Sequence, residues 1–335
     1  MPLRLRRPVL PALALALLTA ALPATAQDQG EAPAGAYLAA RVAASENDFR
    51  EAAHWYDIVL DSGVTTPALL EGAIIANLGL GQVDRAAELS RRLLQTGGQS
   101  QSAAIALLAD QAGRDDYRAI LADIEAGASV GKLLDSLVTA WATLGDGRMS
   151  DAIAGFDTIA KSPGLEAFGL YHKALALAAA GDFEGADNIL SGREAGAIAV
   201  TRRGIIAHVQ ILSQLERNPD ALALIDRSFG PEPDPQLDLL RARLKTPDVL
   251  PFDVVRNPTD GIAEVFFTLA TALRGEADDA YTLIYARVVT HLRPDHSEAA
   301  LLAAELLERL DQPSLAGETY ATIRPEDPAY YVAEI

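Results

Sequence analysis

From residue 33 onward, apolar residues recur at three- and four-residue intervals in stretches of about 14 residues that end at a Gly or Asn turn. A stripe at that spacing lies along one side of an α-helix, so the pattern predicts an all-α chain of helices separated by short turns.

The pattern also repeats. Asn47-Asp48-Phe49-Arg50-Glu51-Ala52 returns 34 residues later as Gly81-Gln82-Val83-Asp84-Arg85-Ala86, and Gly147-Arg148-Met149-Ser150-Asp151-Ala152 returns after another 34 as Gly181-Asp182-Phe183-Glu184-Gly185-Ala186. Each unit is a helix, a turn, a hydrophobic and a small residue, then a second helix. Glycine at Gly81, Gly147 and Gly181 suits a left-handed backbone at the turn. The small residue at Ala52, Ala86, Ala152 and Ala186 lets paired helices approach closely, while Trp55, Tyr56, Phe156 and Ile189 fill space toward the next unit. One pair cannot bury its own apolar face, but stacked pairs can.

These residues resemble the tetratricopeptide repeat family. Ala39-Ala40, Ala73-Ile74, Thr139-Ala140 and Lys173-Ala174 stand at its first-helix positions, and Tyr56 and Phe156 at its second-helix aromatic, from which Ser90 and Leu190 depart. The resemblance implies a right-handed superhelical solenoid of antiparallel helix pairs, about eight in number, some irregular. Weaker units are expected at residues 100–127, turning at Gly113-Arg114; at 202–229, turning at Asn218-Pro219-Asp220; at 261–293, turning at Gly275; and at 297–323, turning near Asp311-Gln312-Pro313.

Prolines 231, 233, 235, 247, 251 and 258 interrupt the pattern, leaving room for one short helix at Gln236–Leu244. The expected organisation is a leader (1–26), a flexible mature N-terminus (27–32), an N-terminal array (33–230), a proline-rich connection (231–258) and a C-terminal array (259–335). The alternative to that boundary is an irregular repeat in one continuous solenoid. Residues 328–335 read as the start of a further helix that the sequence leaves incomplete.

Arg4, Arg6 and Arg7, the apolar run Val9–Leu22, and the small residues Ala24 and Ala26 read as a secretory signal cleaved after Ala26. An uncleaved anchor is the alternative, although the run is short of a full span. Twenty-four arginines against four lysines, with 63 alanines, fit a GC-rich bacterial coding bias, so a periplasmic or secreted location is expected, with no transmembrane helix after the signal is removed. The net charge is −18; losing the three leader arginines makes it −21, which disfavours nucleic acid and anionic lipid as partners. The chain has no cysteine, which removes disulfides, thiolate metal sites and a lipidated N-terminus.

No catalytic motif stands out. The five histidines form no His-Glu-x-x-His pair, and His291 and His296 read as residues near a helix end. Asp115-Asp116 and Asp278-Asp279 read as helix starts. No cofactor or metal is expected. In the family the first helices line a concave groove, which implies Tyr37, Arg41, Glu71, Ile75, Leu137, Trp141, Tyr171, Leu175, Arg203, Ile206 and Gln210 as a partner-binding surface. The alternative for Trp141 and Tyr171 is packing between repeats. Tyr37, Glu71, Leu137 and Tyr171 stand where a carboxylate clamp would need cations, which argues against that mode and for a groove reading extended or helical segments. The expected role is a non-catalytic scaffold or adaptor binding a protein or peptide in the cell envelope. The alternative is the accessory superhelix of a longer envelope enzyme or polysaccharide exporter. The register itself is testable: Ala152→Phe should overpack a helix–helix contact and lower the melting temperature, and an unchanged value rejects the alignment of repeats.

Overall fold

The computed structural model describes residues 31–193, 201–230 and 234–330. The leader and most of the flexible segment expected after it lie outside the described residues, as do residues 331–335 of the helix start expected at 328–335. The described residues form seventeen helices and no strand. In order they are α1 (Glu31–Ser45), α2 (Phe49–Asp61), α3 (Pro67–Leu80), α4 (Val83–Gln95), α5 (Gln101–Gly113), α6 (Tyr117–Glu125), α7 (Lys132–Gly145), α8 (Met149–Ala160) and α9 (Glu166–Ala179). There follow α10 (Phe183–Leu190), α11 (Arg202–Gln214), α12 (Asn218–Phe229), α13 (Pro235–Leu244), α14 (Pro258–Leu273), α15 (Asp279–Leu292), α16 (Ser297–Arg309) and α17 (Pro313–Tyr320).

Among the described residues one turn geometry recurs seven times. Asn47, Gly81, Asp115, Gly147, Gly181, Glu216 and Asp311 take a left-handed backbone, with φ between 55° and 88°. The next residue returns its N–H to a carbonyl five positions back, as in Gln82 to Asn77 (2.9 Å) and Asp182 to Leu177 (2.9 Å). That bond satisfies a carbonyl left open at the helix end. At Asp48, Asp116 and Asp182 the same residue then caps the following helix, its carboxylate accepting from the backbone N–H three positions on. The third turn falls at Asp115, 34 residues after Gly81, and not at Gly113-Arg114. The short polar side chain of aspartate tolerates the left-handed region, so the repeat continues there without glycine. Asn218, Pro219 and Asp220 are likewise the first turn of α12, with the reversal at Glu216.

The helices differ in kind. Val83-Asp84-Arg85-Ala86-Ala87-Glu88 opens α4 with one apolar and one charged side, and its buried residues follow helical spacing. The sequence of α3, by contrast, has almost no polar side, and eight of its residues are buried. A helix that is apolar all round must be covered all round. Neighbours α2 and α4 cover one side of α3, and α15 covers another. The same holds for α7 and α9, against which α14 packs.

The two groups of helices on either side of the proline-rich stretch therefore share one apolar core, which runs from Ala36 to Ala316. A smaller core lies between α11, α12 and α13, around Val209, Ile225, Leu237 and Leu250. The proline-rich stretch holds the short helix α13 and then an ordered loop that buries Leu250, Val254 and Val255. Among the described residues, no helix is long and apolar enough to cross a membrane.

Of the glycines between the two groups, Gly261 is the most closely approached, since a Cβ atom there would fall inside the Trp141 indole. Gly261→Ala should cost about 1–3 kcal/mol in urea unfolding, because neither backbone nor ring can move aside cheaply. Gly35→Ala, in the exposed first helix where an added methyl meets nothing, should be neutral or mildly stabilising. Equal effects at both positions would mean that α14 does not seat on α7.

Candidate functional site

The structure divides the expected groove in two. Its central part is covered by the chain itself. Leu137, Trp141 and Leu175 are fully buried beneath the α14 side of the core, and Tyr171 and Gln210 are buried too. Arg203 keeps only 14% of its side chain exposed. At the N-terminal end the surface stays accessible: Arg41 and Ile75 are exposed, while Tyr37 and Glu71 are half-buried. The repeat-defining alanines Ala52, Ala86, Ala152 and Ala186 are all buried, as close helix pairing requires.

A polar network stitches the covered part. The Tyr171 hydroxyl donates to Glu264 Oε1 on α14 (2.9 Å), and Arg203 Nε donates to Oε2 of the same carboxylate (2.6 Å). Arg203 Nη1 reaches Glu298 on α16 (2.8 Å), and Nη2 reaches the Val254 carbonyl (3.2 Å). Burial works against the Arg203 charge, but Glu264 and Glu298 outweigh it and hold the guanidinium above its usual pKa. Burial beside Glu264 pushes the Tyr171 phenol well up, so it remains a donor. Beyond them, Gln210 exchanges hydrogen bonds with Asp253 in the loop, and Arg293 donates to the Val254 carbonyl (2.7 Å).

Arg287 and Arg50 link α15 and α17 to each other and to the N-terminal helices. Arg287 on α15 donates to the Gly79 carbonyl of α3 (3.1 Å) and to Thr319 of α17 (3.1 Å). Burial lowers its pKa to about 10. At the surface, Arg50 of α2 pairs with Glu318 of α17 (2.8 Å).

Three histidines are held uncharged inside. His172 Nδ1 accepts from the Trp141 indole N–H (3.1 Å), which puts the ring proton on Nε2, an atom with no partner. Burial lowers its pKa to about 3. His296 caps α16 by accepting the Ala299 N–H at Nδ1 (3.2 Å), and burial, with Arg203 and Arg293 nearby, drives its pKa well down. His208 is lowered by burial despite its bond to Asp187 (2.7 Å). His291 lies 4.0 Å from Asp84 rather than beside His296. Among the described residues no three His, Asp or Glu side chains gather as a metal site would need.

The accessible end has its own chemistry. Tyr56 lies across Gly72, close enough to Arg41 and Tyr37 to feel both, although burial is the larger influence on its hydroxyl. Glu71 Oε2 is buried there without a hydrogen-bond partner. Among exposed large apolar residues, Leu38 (65% exposed) and Val42 (48%) stand one turn apart on α1.

Sequence reasoning named the inner residues but missed what covers them: Glu264, Glu298 and the Val254 loop. A signal was present. Helices α3 and α14 lack a polar side, and Glu264 is a lone carboxylate in the apolar run Gly261–Leu269. Compared with protein-family models and with curated proteins, the chain matches none.

The buried histidines set an acid limit. An unfolded chain takes up protons near pH 6.5, whereas folded His172 refuses one until about pH 3, so stability is full above 6.5 and falls as pH drops through that window. For His172 the loss should be about 1.4 kcal/mol per pH unit below 6.5, and the lowered pKa values of His208 and His296 act in the same direction. Urea unfolding at pH 7, 6 and 5 should show the slope, and His172→Gln should remove one histidine's share. A flat profile would mean that these rings are solvated.

Proposed function

We propose that this chain is an exported, non-catalytic scaffold of tetratricopeptide type, a right-handed superhelix of helix pairs that binds a protein segment in the bacterial cell envelope. The seven equivalent turns and the small residues buried between paired helices support the family reading. The leader-like residues 1–26 support export to the periplasm or beyond.

One observation carries the binding role: of the expected groove residues, those at the N-terminal end include exposed ones, and there an apolar contact meets unsatisfied polarity. Ile75 is exposed, Arg41 offers directional donors, Tyr37 offers a rigid ring, and Glu71 holds a buried oxygen with no partner. A desolvated acceptor left open is costly, and a donor from a bound segment would satisfy it. Aromatic and arginine side chains beside it supply the contacts that dominate protein interfaces. In this reading Trp141, Leu137, Tyr171, Leu175, Arg203 and Gln210 are structural, and the partner docks beside α1–α3.

A photo-crosslinking residue at Ile75 should trap a discrete protein in the periplasmic fraction, whereas one at Asp151 on the outer helix α8 should not. Glu71→Gln should weaken the adduct several-fold without changing the helical circular dichroism. Retention of the purified protein by peptidoglycan or polysaccharide, with no protein adduct at Ile75, would overturn the proposal.

A further inference from the structure

The α5–α6 pair is packed unlike the others. Helix α6 has only nine residues, Tyr117–Glu125, against thirteen in α5, and of these only Ile120 is buried. The opposing side of α5 carries the small side chains Ala103 and Ala104, which cannot reach across to α6. The two helices meet at the Asp115 turn and leave a cleft of about 460 Å³ toward the other end. Its floor is apolar, with Ala104, Leu107, Ile120 and Ile124, and Leu94, 47% exposed, stands at its mouth.

The rim has one sign of charge. Asp123 and Asp135 line it, and no lysine, arginine or histidine does. Both carboxylates hydrogen-bond to neutral donors. Asp123 accepts from the Gln111 amide (2.7 Å); Asp135 accepts from the Ser129 hydroxyl (2.5 Å) and from the backbone N–H groups of Val130 and Gly131 (3.0 and 3.3 Å). Their charge is therefore oriented but not neutralised. Elsewhere the buried carboxylates Asp187, Glu264 and Asp260 each meet at least one arginine. An apolar trough with a fixed negative rim, on a chain of net charge −18, complements a ligand that sets apolar groups beside cations.

We infer that this cleft is a second docking site and takes a short peptide segment whose leucine-like side chains are flanked by lysine or arginine. It rests on the reading of the chain as a partner-binding scaffold and gives that partner a chemistry. Apolar side chains enter between α5 and α6, and the flanking cations lie over Asp123 and Asp135. Both carboxylates are pre-oriented by their neutral donors, so little ordering is needed on binding.

The test is fluorescence anisotropy of the full chain with two labelled peptides, one repeating Leu-Leu-Lys and one repeating Leu-Leu-Glu. The basic peptide should bind at least tenfold more tightly and weaken as salt rises. Ala104→Phe fills the cleft and should lower its affinity at least tenfold. Leu94→Ser at the exposed mouth removes an apolar contact without adding charge, should also lower it, and serves if the larger side chain disturbs folding. Asp123→Asn should cost several-fold. Equal binding of both peptides would overturn the inference. So would basic-peptide binding that ignores Ala104→Phe, Leu94→Ser and Asp123→Asn, which would mark adsorption over an acidic surface. If the adduct at Ile75 forms while the cleft variants behave as the parent chain, the scaffold reading stands and this site alone fails.

Discussion

The structure depends on covering helices that are apolar on every side. A helix such as α3 gains nothing from facing water, and its outer neighbours α2 and α4 reach only part of its circumference. The remaining side is buried by α15, and the equivalent sides of α7 and α9 by α14. Gly261 is the geometric condition for that closure, since only a residue without Cβ lets α14 settle on the Trp141 ring. The indole is then enclosed by Phe156, His172 and α14, and its N–H must find an acceptor inside. His172 supplies it, at the cost of keeping an imidazole neutral.

Apolar burial alone does not set the position of the covering helices, because it is non-directional. The Tyr171–Glu264–Arg203–Glu298 chain does so by direction. It joins α9, α14, α11 and α16 through bonds that each need a particular register. Removing one member would leave a desolvated charge, which is far more damaging than the small net worth of the intact network. Arg287 does similar work between α15 and α3, where its guanidinium ends a helix carbonyl rather than meeting an acid.

Closure also decides where binding chemistry is available. Residues on different helices have different fates, because a covering helix buries only the part of a helix that it touches. Trp141 on α7 lies against α14 and is fully buried, whereas Ile75 on α3 is exposed although α15 packs on the same helix. The shortened α6 produces the second opening, where alanine-rich α5 faces too little partner to be filled.

Much of this was legible in the amino-acid order. Local physics dictates helix periodicity, left-handed turn residues at 34-residue spacing, and small residues where helices touch. Such features depend on neighbours a few positions apart, so a single sequence displays them, even though Asp115 and Glu216 disguise two of the turns by using other residues where glycine is expected. The pairing of residue 141 with 261, 171 with 264, and 79 with 287 was not legible. No periodicity links positions so far apart. The lack of a polar side on α3 said that a cover must exist, but only the tertiary structure decided which helices provide it, because that choice rests on shape fit and directional bonds formed after the chain has turned back on itself.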